Sequence, residues 1–377
     1  MSAEPAAILV VEDDATLRRA LERVLAPLYT VAGVGTVAEA LAQLGRSAFE
    51  VALVDVQLPD GDGYCLSRDI QRLSPATDVI LMTGSVGASD ESLYRALEEN
   101  AFYFLYKPFE RRVLRALVER CLRLKAARRA NEEFERQARS DLEQARRFQG
   151  SLLPRKPLAA FGWRLEGRFR PCDALGGDLY QALVDLRGSV LCSLSDVVGH
   201  GVSAAMVAGM VRSALDAARR RDPDPAEVVA ELAAGADFLG GPRFVTLVFA
   251  RLEADGRVRY VNAGHPPALW LRSDGGVQRL GSTGTFVCRA LAGLERPARE
   301  VQLTPGERIL LYSDGLFETR DGADAELGLE RVAEVFEASR SLPVAAVLDG
   351  LLAELDRHRG ARSIEDDVTL LLIERTG

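Results

Sequence analysis

Residues 309–319, ILLYSDGLFET, open with three aliphatic residues and a tyrosine and then place a carboxylate, Asp314, ahead of glycine. The first four letters have the pattern of a strand buried on both faces. Taken alone, Asp-Gly is turn chemistry. It does not stand alone: Asp178 in LGGDLY, Asp196 in LCSLSDVVGHG and the pair Asp366-Asp367 before VTLLLI also sit in loops beside apolar strands or small residues. Ionised carboxylates brought together around one core repel. Without a cation between them their pKa values would rise or the site would unfold. Hard oxygen donors select Mg²⁺ or Mn²⁺. With only three histidines in the chain, a His-rich zinc or iron centre is excluded.

The chain has 377 residues, 47% hydrophobic and 27% charged, which suits a soluble protein with two cores. Its formal net charge of −8 gives the whole chain no electrostatic reason to bind nucleic acid or an anionic membrane. No apolar run reaches the length of a membrane span, and MSAEPAAILVVEDD lacks the basic region of a signal peptide, so a cytoplasmic protein is expected. The five cysteines, Cys65, Cys121, Cys172, Cys192 and Cys288, form no C-x-x-C pair and read as reduced thiols. Six residues after them stand Gln71, Ala127, Asp178, Val198 and Leu294, so the Cys-x₅-Arg pattern of a cysteine phosphatase is absent.

Composition divides the chain in three. Up to about residue 108, short β-branched runs (AILVV, VALVDV, DVILMT, FYFLY) alternate with amphipathic stretches, the rhythm of a parallel sheet wound with helices. Glu12, Asp13 and Asp14 follow the first run, Asp55 ends VALVD, Thr83 ends VILMT, and Lys107-Pro108 follows FYFLY. In an open parallel sheet the C-terminal strand ends meet at one crevice, so these groups are expected to converge. Individually, Asp13 or Asp14 could cap the next helix and Lys107 could be a solvated charge.

Together these residues resemble the receiver domains of response regulators, over roughly residues 6–124, a flavodoxin-like doubly wound fold. The resemblance implies Asp55 as phosphoacceptor, with Glu12, Asp13, Asp55 and the Gln57 carbonyl around Mg²⁺ and a sensor histidine kinase as partner. Lys107 would help neutralise the phosphoryl donor. Thr83 would follow the new phosphate and Phe104 would be the switch aromatic. That aromatic is often tyrosine in the family, so a hydroxyl-dependent part of the switch is missing.

From Glu110 to Gln149 there is no proline or glycine, and twelve Lys or Arg face seven Asp or Glu. Leu114, Leu117, Cys121 and Leu124, then Phe134, Ala138, Leu142, Ala145, Gln149 and Leu152, recur at three-four spacing with one departure from a strict heptad. The expectation is a helical, coiled-coil linker over 110–150 that pairs two chains. Asn131, Ala138 and Gln149 are expected to bury little, and a single amphipathic helix is the alternative.

The last third mixes strands, hairpin turns such as ADG and DGG, and a few helices. GGDLY, SDVVGHG, RFVTLVFARLEADGRVRYVNAGHPPALW, LLYSDGLFET and DDVTLLLI are, in order, similar to the motifs of SpoIIE/RsbU-type serine/threonine phosphatases, a branch of the metal-dependent type-2C family. ARRFQGSLLP resembles that branch's regulatory lead-in helix. The resemblance implies an α+β, four-layer αββα sandwich over about 150–377. It also implies two Mn²⁺ or Mg²⁺ ions on Asp178, Asp196, Asp314, Asp366 and the Val197 carbonyl, with Asp367 the second choice in its pair. Two ions sharing a water supply hydroxide near neutral pH, so no protein nucleophile is required. Gly176, Gly177, Gly199 and Gly201 would let backbone approach the ions.

Around these residues, His200 is expected either to orient water or substrate or to fix its loop. Asn262, Gly264 and His265 read as turn chemistry, and Met206, Met210 and Val211 as helix core. The role of Thr246 is open. Two departures stand out: Gln181 where the family has a second Asp, expected to remove a charge near the site, and GSTGTFVCRALAGL, which lacks the usual Pro-Leu-Gly.

The resulting expectation is a response regulator whose output is dephosphorylation of a phosphoserine or phosphothreonine protein. The resemblance points to an anti-anti-sigma (STAS) substrate in partner switching, with no nucleic-acid or membrane partner and a homodimer through the linker. The rival readings are a non-catalytic phosphatase-like scaffold and a DNA-binding regulator acting through the basic linker. The second lacks a helix-turn-helix.

Overall fold

The computed structural model describes residues 5–84, 103–218, 224–239 and 243–377. The chain forms two compact units, Met1–Gln137 and Ala138–Gly377.

In the first unit, strands β1 (Ala7–Val11), β2 (Thr30–Val34), β3 (Val51–Asp55), β6 (Asp78–Thr83) and β7 (Tyr103–Tyr106) make one sheet in the order β2-β1-β3-β6-β7. All its pairings are parallel. Helices α1 (Ala15–Leu25), α2 (Val37–Leu44) and α3 (Gly63–Leu73) cover it, and a hairpin of β4 (Gln57–Leu58) and β5 (Gly61–Asp62) leads into α3. Because both faces are covered, β1 can be apolar throughout and β3 apolar up to Asp55. Ile8 and Val10 pack in one core cluster and Leu9 and Val11 in the other.

A single 42-residue helix, α4 (Arg111–Leu152), has residues in both units. Its buried face in the first unit is Leu114, Val118, Cys121 and Lys125. The Lys125 ammonium donates to the carbonyls of Glu50, at 2.7 Å, and Ala76. Leu124, expected on the seam, points outward instead, because the step from Cys121 to the inner face falls at Lys125. From Ala126 to Phe148 every residue is exposed except Ala138 and Ala145, which are half-buried.

The second unit is built from two antiparallel sheets. The first has the order β10 (Leu179–Val184), β11 (Val190–Val197), β12 (Val245–Leu252), β13 (Arg257–Ala263), β16 (Arg299–Gln302). The second has the order β15 (Val277–Leu280), β14 (Ala268–Leu271), β17 (Arg308–Tyr312), β18 (Val368–Arg375), β9 (Trp163–Arg170), β8 (Leu158–Ala160). Helices α5 (Val202–Ala218) and α6 (Pro225–Ala234) pack on the first sheet, and α7 (Leu329–Ala338) and α8 (Val344–Arg359) on the second. The layers are therefore αββα.

This layering explains why ILLY is apolar at every position. Ile309 and Leu311 point into the core between the sheets, with Trp163, Val248 and Leu371. Leu310 and Tyr312 point the other way, onto Phe336, Val347 and Leu351 of the helices. Alternation along β18 does the same: Leu370 and Leu372 face the helices, Leu371 and Ile373 the opposite sheet.

On α5 the inner face is Ala204, Val207, Ala208, Val211 and Leu215. Met206 and Met210 lie on the opposite face, 67% and 47% exposed, which corrects their assignment to the core. The helical step that buries 204, 208 and 211 turns 206 and 210 outward. Of the cysteines, all free, Cys121 and Cys192 are buried, Cys172 and Cys288 half-buried and Cys65 exposed. No helix among the described residues is long and apolar enough to cross a membrane.

If both faces of β17 are core, Leu310→Ala and Leu311→Ala should each destabilise the second unit by about 2–5 kcal/mol. Urea unfolding would check it; a loss confined to one of them would mean one face is not packed.

Candidate functional site

In the first unit the expected residues meet at the C-terminal edge of the sheet. Glu12 and Asp55 are buried, Asp13 is exposed, and donor oxygens of the three lie within 4.8 Å of one another. Lys107 reaches both buried acids, its Nζ 2.7 Å from Glu12 Oε2 and 2.7 Å from Asp55 Oδ2. Burial pushes the Glu12 carboxyl up to about 7, against the hydrogen bond from Lys107. For Lys107, burial alone would lower the pKa, but its bonds to Asp55 and Glu12 outweigh it and leave the group raised. Asp14 is the N-cap of α1, accepting from the backbone N–H of Thr16 at 2.7 Å and of Leu17 at 3.2 Å, so it is Asp13 that stays open.

Gly63 passes so close that a Cβ there would lie 2.1 Å from the Asp55 carbonyl oxygen. Gln57 lies two residues after Asp55, its N–H donating to Asp55 Oδ1 at 3.3 Å. Thr83 is buried, and its carbonyl accepts the Lys107 N–H at 2.7 Å. Phe104 is half-buried with its ring 6.5 Å from that of Tyr64.

In the second unit the acids come from four separate segments at one end of the sandwich. Asp178 immediately precedes β10 and is 1% exposed. It accepts from Thr369 Oγ1 at 2.6 Å. Burial, then the charge of Asp196, raises its pKa well above the usual carboxylate range. Asp196, near the end of β11, is pushed up to about 7, first by burial and then by Asp314 and Asp366. Asp314 and Asp366 are also raised, chiefly by burial, with Glu318 adding at Asp314 and Asp314 at Asp366. Among the described residues no Lys or Arg pairs with any of these acids, in contrast to Lys107 in the first unit. No trio of them closes to the 4.8 Å spacing of Glu12, Asp13 and Asp55, and ligands shared between two ions lie farther apart.

The two members of the Asp366-Asp367 pair differ. Asp367 is buried, and both its oxygens are occupied: Cys172 N–H donates to Oδ1 at 2.9 Å, and Gly177 and Asp178 N–H donate to Oδ2 at 2.6 and 3.3 Å. Asp366 is exposed and accepts the Asp367 N–H at 2.7 Å. Asp367 therefore ties the loop before β10 to β18, and Asp366 is the open carboxylate.

Backbone is packed just as closely. A Cβ on Gly177 would lie 2.5 Å from the Val197 carbonyl oxygen, and one on Gly315 would lie 2.3 Å from the Asp367 carbonyl oxygen. Beside Asp366 opens a pocket of about 190 Å³ lined by Gly315, Glu318, Thr319, Arg320, Ser363 and Glu365.

Several positions differ from expectation. Gln181 bonds to groups other than the acids. It alternates onto the helix-facing side of β10, where Nε2 donates to the Arg212 carbonyl at 3.3 Å and Oε1 accepts from Ser193 Oγ at 3.2 Å. Its carboxamide is thus occupied on the helix side of the sheet. Gln149, expected to bury little, is 4% exposed and bonded to Gly176. His200 is exposed, Nδ1 3.7 Å from Asp173.

Thr246, whose role was open, bonds His265 Nδ1 at 2.8 Å and stands across from Asp196 in the β11–β12 register. Asn262 Oδ1 accepts the His265 N–H at 2.9 Å, the turn expected there. The sequence reading missed the hydroxyls of Ser313 and Thr369. Ser313 Oγ donates to the Asp367 carbonyl at 3.0 Å and accepts the Thr369 N–H at 2.9 Å. Ser313 adjoins Asp314 and Thr369 stands two residues after Asp367, so their positions beside motif acids are a readable signal.

The family model for Stage II sporulation protein E (SpoIIE) matches residues 187–376, half of the chain, and that for the response regulator receiver domain matches residues 8–119. The chain belongs to the SpoIIE family and carries a receiver domain ahead of its phosphatase-type domain. Similar proteins include Protein IcfG of Synechocystis, 27% identical over 63% of this chain and 42% of that protein. Phosphoserine phosphatase RsbP of Bacillus subtilis is 24% identical over 64% and 60%. The chain thus spans about half the length of these curated relatives. The solved SiaA-PP2C domain of Pseudomonas aeruginosa shares the fold, with a TM-score of 0.57 at 22% identity over 64% of this chain and 98% of that one.

Burial lowers the pKa of His265 to about 3, from the usual 6.5. Its imidazole should stay neutral through pH 5, checked by ring ¹⁵N shifts assigned with His265→Gln; protonation near pH 6.5 would mean that the Thr246–His265 pair is not buried.

Proposed function

We propose that the chain is a response regulator whose output is metal-dependent dephosphorylation of a phosphoserine or phosphothreonine protein. The observation that supports this best is the cluster of acids at the end of the sandwich, running from the buried Asp178 through the half-buried Asp196 and Asp314 to the exposed Asp366, with no basic side chain paired to them among the described residues. Asp178 and Asp196 are held among other carboxylates with no basic partner among the described residues. All the donors are oxygens, and such a set fits Mg²⁺ or Mn²⁺. Asp178, Asp196, Asp314, Asp366 and the Val197 carbonyl would hold two ions. Asp367, occupied by three N–H groups, would order the loop that carries Asp178. When bound, the ions would lower the pKa of a shared water and clamp phosphoryl oxygens for in-line displacement. Thr369 orients Asp178, and the pocket beside Asp366 gives the phosphorylated segment room to enter.

The division proposed is a receiver over 6–124, a helical linker over 110–150 and a phosphatase domain over 150–377. In the receiver, Mg²⁺ on Glu12, Asp13, Asp55 and the Gln57 carbonyl would support phosphoryl transfer from a sensor histidine kinase to Asp55. Thr83, Phe104 and Lys107 would carry the response. A STAS-type protein is the proposed substrate, on the resemblance of the motifs to SpoIIE/RsbU-type phosphatases, and the cytoplasm the proposed location. The engagement of Gln181 with Arg212 and Ser193 supports the catalytic reading over an inactive scaffold.

The test is release of phosphate from a phosphorylated STAS protein with Mn²⁺. Asp314→Asn and excess chelator should each reduce turnover to background, and Asp55→Asn should leave turnover unresponsive to a phosphodonor. Full activity of Asp314→Asn would overturn the assignment.

Pairing of two chains through α4 is proposed on its exposed apolar side chains, Phe134, Leu142 and Phe148, on a stretch with little else to cover them. Phe134→Glu with Leu142→Glu should shift the protein from dimer to monomer in sedimentation velocity; an unchanged dimer would place the seam elsewhere.

A further inference from the structure

We propose that Thr246 and His265 are positioning residues of the candidate phosphatase centre: their hydrogen bond braces the two sheets against each other at the acid-bearing end and so sets the spacing that a cation there requires. The inference rests on the metal-dependent reading of that centre.

The acids come from both sheets. Asp178 precedes β10 and Asp196 lies on β11 of the first sheet, whereas Asp314 follows β17 and Asp366 precedes β18 of the second. Asp196 feels the charges of Asp314 and Asp366, so the two sets face each other. A cation held between them needs one separation of the sheets, and strand pairing fixes distances only within a sheet. Segment 264–267 is a crossing: it runs from the end of β13, in the first sheet, to the start of β14, in the second.

His265 is the buried residue of this crossing, 4% exposed. On the first-sheet side its Nδ1 bonds Thr246 Oγ1 at 2.8 Å. Thr246 stands directly across from Asp196. Leu194, two residues before Asp196, and Val248, two after Thr246, both lie in the core between the sheets, so by strand parity Asp196 and Thr246 share that face. On the second-sheet side the Tyr312 backbone faces the ring and partly offsets the effect of burial on its pKa. The Tyr312 hydroxyl donates to the Pro267 carbonyl at 2.7 Å. Tyr312 ends β17, two residues before Asp314. The crossing is therefore tied beside an acid of each sheet.

Stability alone does not account for the imidazole. Its Nε2 is enclosed, and among the described residues no partner meets it in hydrogen-bond geometry. A buried polar atom left so is destabilising, and an apolar side chain of similar volume would pack the crossing without that penalty. What an apolar side chain would lack is the bond to Thr246. Because that bond touches neither phosphate nor ion, its loss should act on cation affinity and leave the saturated rate nearly intact.

The experiment uses the full chain with Asp13→Asn to silence the receiver site, titrated with Mn²⁺ by calorimetry. Thr246→Val keeps the shape and removes the hydroxyl; it should bind Mn²⁺ about 10–100-fold more weakly, the usual effect of losing a partner that orients a ligand. His265→Phe should lose as much, and the double variant no more than either, since all three break one bond. Thr246→Ser, which keeps the hydroxyl, should recover most of the affinity. Phosphate release should recover at high Mn²⁺. Thr246→Ala takes the place of Thr246→Val should that variant fold poorly by circular dichroism. A merely structural pair would lower the melting temperature and leave Mn²⁺ affinity unchanged. Folded variants with parental affinity, or losses that add in the double variant, beside an Asp196→Asn control that no longer binds, would overturn the proposal and leave the centre standing. If Asp196→Asn also binds as the parent does, the centre itself falls, and this inference with it.

Discussion

Bringing like charges out of water is the constraint on which the second unit's architecture turns. Each ion removed from solvent costs several kcal/mol even after relaxation, and neighbours of the same sign add to that. Asp178, Asp196, Asp314 and Asp366 come from four segments and are each raised in pKa, by burial first. What the fold supplies against this is hydrogen bonding: Thr369 to Asp178, and three backbone N–H groups to Asp367. Those bonds order the site without discharging it, and this is why a divalent cation is the proposed complement.

The first unit meets the same problem with a different device. Its buried acids, Glu12 and Asp55, share an internal cation, the Lys107 ammonium, at 2.7 Å from each. A site with its own positive charge can stay assembled while its ligands come and go. That suits the phosphoacceptor role proposed for Asp55, whereas the phosphatase-type acids have no such partner among the described residues.

Layering makes both arrangements possible. Parallel strands covered by helices bring their C-terminal ends to one edge, and Asp55, Thr83 and Lys107 arrive there. In the αββα unit the two sheets bury each other, and the acids beside the ends of β10, β11, β17 and β18 come close enough to raise one another's pKa. Glycine matters where chains then crowd: at Gly177 any side chain would meet the Val197 carbonyl.

Much of this was legible in the chain itself. Strand runs apolar at every position announce sheets covered on both faces, and carboxylates at their ends announce where the chemistry lies; Asp55, Asp178, Asp196 and Asp314 stand at the strand ends or loops their motifs imply. What a linear pattern cannot carry is direction. Whether Met206 and Met210 face in or out depends on which stripe of α5 meets the sheet, and they face out. Whether Gln181 bears on the acids depends on the parity of β10, which turns it toward α5. Of two adjacent aspartates, only the packed loop decides that Asp367 is tied and Asp366 open. Gln149 looked like a weak seam residue, and its partner lies 27 positions away. Residue type and spacing determine what a side chain can do; the fold alone determines which neighbour it meets, because long-range contacts are set by packing that no local window contains.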